Sequence, residues 1–269
     1  DGIRDVERSR GLGDVYKRQM FIDIHTHLPQ YDDVELDEIV SRWRLNDVKY
    51  VVSTGTTIDD SERSIDLSKR YNDVLAGIGI HPSDLTQNWK EDLSKIKKLS
   101  DNNLSMISEI GLDYQEISPD KAIQIQAFEF QINLAIEKKL PIVFHTRNAM
   151  DDTYSVLKNF DFSYNPGAIH YFDGSYQDAK KMIDLGYKIS FAKTLIRYDH
   201  LKTVAEKISI KDIVIETDSY PQYFKKNRQR WTEPKDVKLV AQEISRLKNM
   251  NVEEVGKITS DNALNFLKL

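Results

Sequence analysis

The chain carries six histidines and no cysteine. Four of those histidines, together with two carboxylates, fall at or just after the ends of short apolar segments. His25-Thr26-His27 closes the first segment, and residues two apart in an extended strand share a face. Glu109 closes another, within Ser108-Glu109-Ile110-Gly111-Leu112-Asp113-Tyr114. His145 stands in Phe144-His145-Thr146-Arg147, His170 in Ile169-His170-Tyr171-Phe172, and Asp218 in Ile215-Glu216-Thr217-Asp218-Ser219. Taken singly, each has an ordinary structural explanation: a core imidazole bonded to backbone, or a solvated acid. Five segments ending in a metal-ligand residue type make coincidence a poor account. Neutral imidazoles and carboxylates suit zinc, manganese or similar divalent ions. Six ligands exceed one tetrahedral site, which predicts two metals with Glu109, bearing two oxygens, as the bridge.

The segments that position these residues read as strands. Apolar, β-branched runs occur at 20–25, 50–54, 74–80, 104–109, 141–145, 167–170, 187–191 and 212–216, each short and bounded by turn residues. Helical periodicity fills the stretches between them. In 119–139, Ile123, Ala127, Phe130, Leu134 and Ile136 are expected near one face, and 237–247 and 252–267 are two further amphipathic patterns. Eight alternating units without a break in composition predict an α/β fold, a single (β/α)8 TIM barrel over residues 20–269, whose chemistry belongs at the C-terminal ends of the strands. The rival is an open doubly wound sheet, but no Gly-rich dinucleotide fingerprint follows the first strand. Residues 1–19 are charged and lack the apolar core of a secretory signal. They are expected to be a non-native or disordered extension, with Met20 as the natural start.

Composition narrows the functions. The absence of cysteine excludes disulfides, thiolate metal sites and cysteine nucleophiles. A formal net charge of −5 argues against a protein that coats nucleic acid, while permitting a local basic patch. No apolar run approaches the ~20 residues that span a bilayer. The expectation is a cytoplasmic protein with no membrane and no obligate protein partner.

From residue 20 onward the chain resembles the TatD family of metal-dependent hydrolases and deoxyribonucleases, within the amidohydrolase-like barrels. The resemblance rests on Ile24-His25-Thr26-His27, Gly79-Ile80-His81-Pro82, the Glu109–Tyr114 stretch, His145-Thr146-Arg147, His170-Tyr171-Phe172 and Glu216-Thr217-Asp218-Ser219. It implies that His25, His27 and Asp218 hold one metal and His145 and His170 the other, with Glu109 between them. It also implies hydrolysis of phosphodiester bonds in DNA, as an exonuclease. Three places depart from the family pattern: Ser83 replaces a histidine, Asn148 replaces an acid, and Trp231 is inserted within Arg230-Trp231-Thr232-Glu233-Pro234. None is an expected ligand, and all could line the substrate pocket.

Two cations polarise a phosphoryl oxygen, acidify a water and steady the leaving oxygen. Asp218 could also act as the base for that water. Arg147, two residues past His145, could clamp a phosphate oxygen, and His81 could contact phosphate. Beyond the last strand, 221–231 gathers four cations and three aromatics. There Arg228 is expected to neutralise phosphates and Trp231 to stack on an unpaired base. The alternatives are a hydrolase of another ester, lactone or aminoacyl-tRNA bond on the same barrel, and a non-catalytic metal-binding protein.

Overall fold

The computed structural model describes residues 21–161 and 166–267. The expectation for residues 1–19, and for Met20 as the start, lies outside the described residues. Eight parallel strands run in chain order around one sheet: β1 (Phe21–Thr26), β2 (Val48–Thr54), β3 (Val74–Ile78), β4 (Met106–Asp113), β5 (Ile142–Arg147), β6 (Gly167–Ile169), β7 (Lys188–Phe191) and β8 (Ile213–Ile215). Between and after them lie α1 (Asp33–Arg44), α2 (Ile58–Arg70), α3 (Trp89–Leu99), α4 (Lys121–Lys138), α5 (Met150–Leu157), α6 (Tyr176–Asp184), α7 (Thr194–Arg197), α8 (Asp199–Lys207), α9 (Val237–Lys248) and α10 (Val252–Leu267). This is the (β/α)8 barrel, and the open-sheet rival is excluded. Among the described residues no helix is long and apolar enough to cross a membrane.

Two apolar cores hold the layers together. Ile22, Ile24, Val52, Met106, Val143, Ala168 and Val214, from six strands, form one cluster completed by Ala263, Phe266 and Leu267 of α10. The larger cluster fills the space between strands and helices, with Phe128, Phe144, Ile189 and Ile244 among its buried members. In α4 the inward face differs from the expectation. Gln124, Ala127, Phe128, Gln131, Leu134 and Ala135 are buried, whereas Phe130 is exposed. The two glutamines are buried because they satisfy backbone at strand ends. Gln131 accepts from Ile80 N–H and donates to the Ile80 carbonyl, and Gln124 does the same for Asp113. A hydrophobic-only pattern cannot register that role.

The seam of the barrel is made by the expected ligand segments. Thr26 forms a parallel bridge with Ser219. His27 N–H donates to the Ser219 carbonyl at 2.8 Å, and Asp218 N–H to the His25 carbonyl at 3.0 Å. Buried Asp23 accepts from Thr217 N–H at 2.9 Å and from the Thr217 hydroxyl. Closing the barrel therefore places β1's histidines beside the acid that follows β8.

Candidate metal centre

β4 runs past the expected end at Glu109 to Asp113, so Glu109 lies within the strand. It is presented to the mouth by a bulge. Ser108 pairs with Val143 and Ile110 with Phe144, leaving Glu109 as the extra residue, in the left-handed region at φ 57°. Bulges re-aim side chains beside functional sites, and a non-glycine residue in that region costs of order 1 kcal/mol or more. Asp218, at φ 52°, carries the same strain. Gly111 permits the close β4–β5 approach beyond the bulge: its φ is 143°, and a Cβ there would sit 2.0 Å from the His145 carbonyl oxygen.

The side chains converge on Glu109. His25 Nε2 is 2.7 Å and His27 Nε2 3.4 Å from Glu109 Oε1, while His27 Nε2 is 3.1 Å from Asp218 Oδ1. His170 Nε2 lies 3.7 Å from the same Glu109 oxygen, and its ring stacks on His25 with centroids 3.7 Å apart. His25, His27, Glu109 and Asp218 can direct one donor atom each to a common point, and so can Glu109, His145 and His170. Donors bound about 2.0–2.2 Å from one ion lie roughly 2.8–3.6 Å from each other, close to the spacings found here. Glu109 Oε2 and the Nδ1 atoms of His25 and His27 are buried without a hydrogen-bond partner. Buried polar atoms are rarely left so. The donor set and the orphaned carboxylate oxygen both fit divalent cations.

Electrostatics keep the carboxylates ionised. Burial pushes Glu109 up, but His25 and His170 outweigh it and hold its carboxyl well below the ordinary range. Asp218 is likewise driven up by burial and more strongly down by His27 and His170. For His170, burial lowers the pKa and the nearby Glu216 and Glu109 raise it, to about 10.

Two acids with no role assigned from sequence support the imidazoles. Glu216 Oε1 is 2.9 Å from His170 Nδ1 and accepts from Tyr171 N–H at 2.8 Å, and its Oε2 accepts from the Ser190 hydroxyl at 2.6 Å. Asp113 Oδ2 is 3.1 Å from His145 Nε2, leaving the Nδ1 lone pair of His145 for a ligand. A carboxylate behind a ligating histidine fixes its tautomer and raises its basicity. Asp113 stands in Glu109-Ile110-Gly111-Leu112-Asp113 and Glu216 in Glu216-Thr217-Asp218, each beside a candidate ligand, and sequence spacing alone does not separate support from coordination.

The other expected site residues divide. Arg147, half exposed, lines a cavity of about 690 Å³ next to His145, His170 and Asp218, with Nη1 3.6 Å from Asp113 Oδ2. His81 Nε2 is 3.8 Å from Glu109 Oε2, and burial lowers its pKa to about 4. Arg228 and Trp231 lie away from the donor cluster and are engaged within the protein. Arg228 is bound to Glu35 and Glu233, each at 2.7 Å, and its guanidinium covers the Trp231 ring at 4.3 Å. Tyr223 packs edge-on against the same ring, which is 7% exposed. The Trp231 ring is thus largely covered, and the Arg228 guanidinium is paired with two carboxylates. They staple the segment after β8 to α1, beside a groove lined by Glu35, Glu38 and Tyr223.

A barrel with this donor cluster at the C-terminal ends of its strands is a metal-dependent hydrolase. The profile of the family described as "TatD related DNase" matches residues 22–268, and the chain belongs to that family. It is 34% identical to an uncharacterized metal-dependent hydrolase of Bacillus subtilis (strain 168), over 93% of this chain and 100% of that protein. A second such hydrolase, from Escherichia coli (strain K12), is 29% identical over 90% of this chain and 93% of its own length. Among solved structures, a TatD homolog from Escherichia coli K12 superposes with a TM-score of 0.84 at 24% identity, covering 93% of this chain and 99% of that one.

Proposed function

We propose that the protein is a two-metal deoxyribonuclease that hydrolyses phosphodiester bonds in DNA. In this reading His25, His27 and Asp218 hold one divalent cation, His145 and His170 hold the other, and Glu109 bridges them; zinc, manganese and magnesium are the candidate ions. The observation that carries it is the sharing of Glu109 by two separate donor clusters. Two such ions supply Lewis acidity to a phosphoryl oxygen and acidify water. Asp218 is ionised, at the rim of the cluster and partly exposed, and serves as the group that receives the proton of the attacking water. Arg147 faces the cavity with an exposed guanidinium suited to a phosphate oxygen. Glu216 and Asp113 are positioning residues that keep the two imidazoles aimed. Because His25 and Glu109 are nearly or wholly buried, the scissile group must reach the floor of the mouth, which favours a strand end over intact duplex.

A substrate panel tests the reading: a single-stranded oligonucleotide, a p-nitrophenyl phosphodiester and a carboxylic ester, each with metal supplied. Turnover of both phosphodiesters is expected, with Asp218→Asn slowed roughly 10²–10⁴-fold while still holding metal. Turnover of the carboxylic ester alone would assign the site to another hydrolase. Full turnover in a metal-replete Asp218→Asn protein would remove Asp218 as the base.

A further inference from the structure

Beyond the metal ligands, one wall of the cavity is basic. Lys193 directly follows the short β7 exit, Arg197 ends α7, and Lys225 lies in the segment after β8; all three line the cavity. Lys193 pairs with Asp236 at 3.0 Å. Lys225 donates only to neutral oxygens, Gln222 Oε1 at 2.5 Å and the Arg230 carbonyl at 3.2 Å. Arg197 is in no ion pair among the described residues. The acids on the β6 side are bonded away from this wall, Asp173 to His200 and Asp178 to Ser175 and Lys181. Of the three cations only Lys193 is ion-paired, with Asp236; among the described residues neither Arg197 nor Lys225 has a carboxylate within 4.0 Å. Burial, and then the charges of Lys193 and Arg197, pull the Lys225 ammonium below its usual range. Like charges held together in this way are relieved by an anion.

We infer that Lys193, Arg197 and Lys225 form a second phosphate site, and that the preferred substrate is a short nucleotide chain carrying a terminal phosphomonoester. An internal diester brings one negative charge, whereas a monoester brings about −1.5 to −2 at neutral pH, enough to engage both Arg197 and Lys225. Tyr171, Tyr220 and Phe224 line the same cavity and offer ring faces or edges to a nucleoside. The Arg197 guanidinium is free for bidentate contact with phosphate oxygens.

This inference rests on the phosphodiesterase reading above, and its test separates the two. Calorimetry on the metal-loaded full chain would compare phosphorothioate-linked dithymidine with a 5′-phosphate, with a 3′-phosphate, and with neither. One phosphorylated probe is expected to bind roughly tenfold to a hundredfold more tightly than the unphosphorylated one. Arg197→Ala, at an exposed side chain, should erase part of that preference, and R197A/K225A most of it. Lys226→Ala, exposed and outside the cavity lining, should keep it. Equal affinity for all three probes, or a preference that survives in R197A/K225A, overturns the second phosphate site. If no natural oligonucleotide is cleaved but the phosphate preference depends on Arg197 and Lys225, the nuclease reading falls and the phosphate site stands.

Discussion

Replacing Glu216 by glutamine isolates what a buried carboxylate contributes to His170, the neighbouring imidazole proposed to hold metal. Its Oε1 lies 2.9 Å from His170 Nδ1 and accepts from Tyr171 N–H at 2.8 Å, and its Oε2 accepts from the Ser190 hydroxyl at 2.6 Å. An amide in the same rotamer keeps its oxygen toward His170 and Tyr171 and turns its NH₂ toward Ser190 Oγ, which can accept. Shape and bond count survive, and only the charge is lost. A charge-assisted hydrogen bond is about twice as strong as a neutral one, and removing the partner behind a metal-bound histidine typically weakens the metal about 10–100-fold, or ~1.4–2.7 kcal/mol. Competition with a fluorescent chelator at neutral pH should show that loss at one ion, with the other nearly unchanged. The sign of the pH dependence follows. Without metal, His170 has its pKa raised to about 10, by Glu216 first among the groups that oppose burial, so it is protonated at neutral pH and must lose that proton to bind metal. Wild-type affinity at this site should then rise by about tenfold per pH unit toward pH 10, and Glu216→Gln should level off earlier. Unchanged affinity at both ions and an unchanged pH slope would refute the coupling of Glu216 to a metal ligand.

Glu109→Ala should lose metal at both positions and His170→Ala at one, read by elemental analysis; equal single-ion losses would show that Glu109 does not bridge. Asp73 tests the scaffold. It accepts from Trp43 Nε1 at 2.9 Å and from Arg44 Nε at 2.7 Å. Burial pushes its pKa up, but Arg44 and Trp43 bring it below 3.8. A depressed carboxylate stabilises the fold fully above its unfolded pKa and loses that contribution as pH falls through the folded value. Allowing for solvent screening, Asp73→Asn should cost about 1–2 kcal/mol at neutral pH, with the difference shrinking below pH 3.8. A melting temperature equal to wild type at neutral pH would show that the pair contributes nothing.

How far the sequence could be read depended on the kind of signal. Strand positions were legible because β-branched runs bounded by turns recur through the whole chain, and the six ligand-type residues were legible because they stand at or near strand ends. Strand extents were less so. Glu109 reads as the end of β4, yet it is an extra residue inside a strand that continues to Asp113, since a bulge leaves no mark in an apolar pattern. Gln124 and Gln131 displaced the expected inner face of α4, and Phe130 turned outward in consequence. Trp231 and Arg228 read as a nucleic-acid contact because composition shows cations and rings without showing that they satisfy each other and Glu35 and Glu233. Lys193 and Arg197 are hidden for the opposite reason: two cations at the ends of the one-turn helix α7 resemble solvated surface until the fold brings Lys225 to them.

The central claim is tested most directly by turnover on single-stranded DNA labelled at its 3′ or 5′ end, after chelation and stepwise return of zinc, manganese or magnesium. The chelated protein is expected not to cleave, activity to return only as the second equivalent of metal binds, and label to be released from one end first. Cleavage by protein that elemental analysis shows to be metal-free, or full recovery with one equivalent, would contradict it.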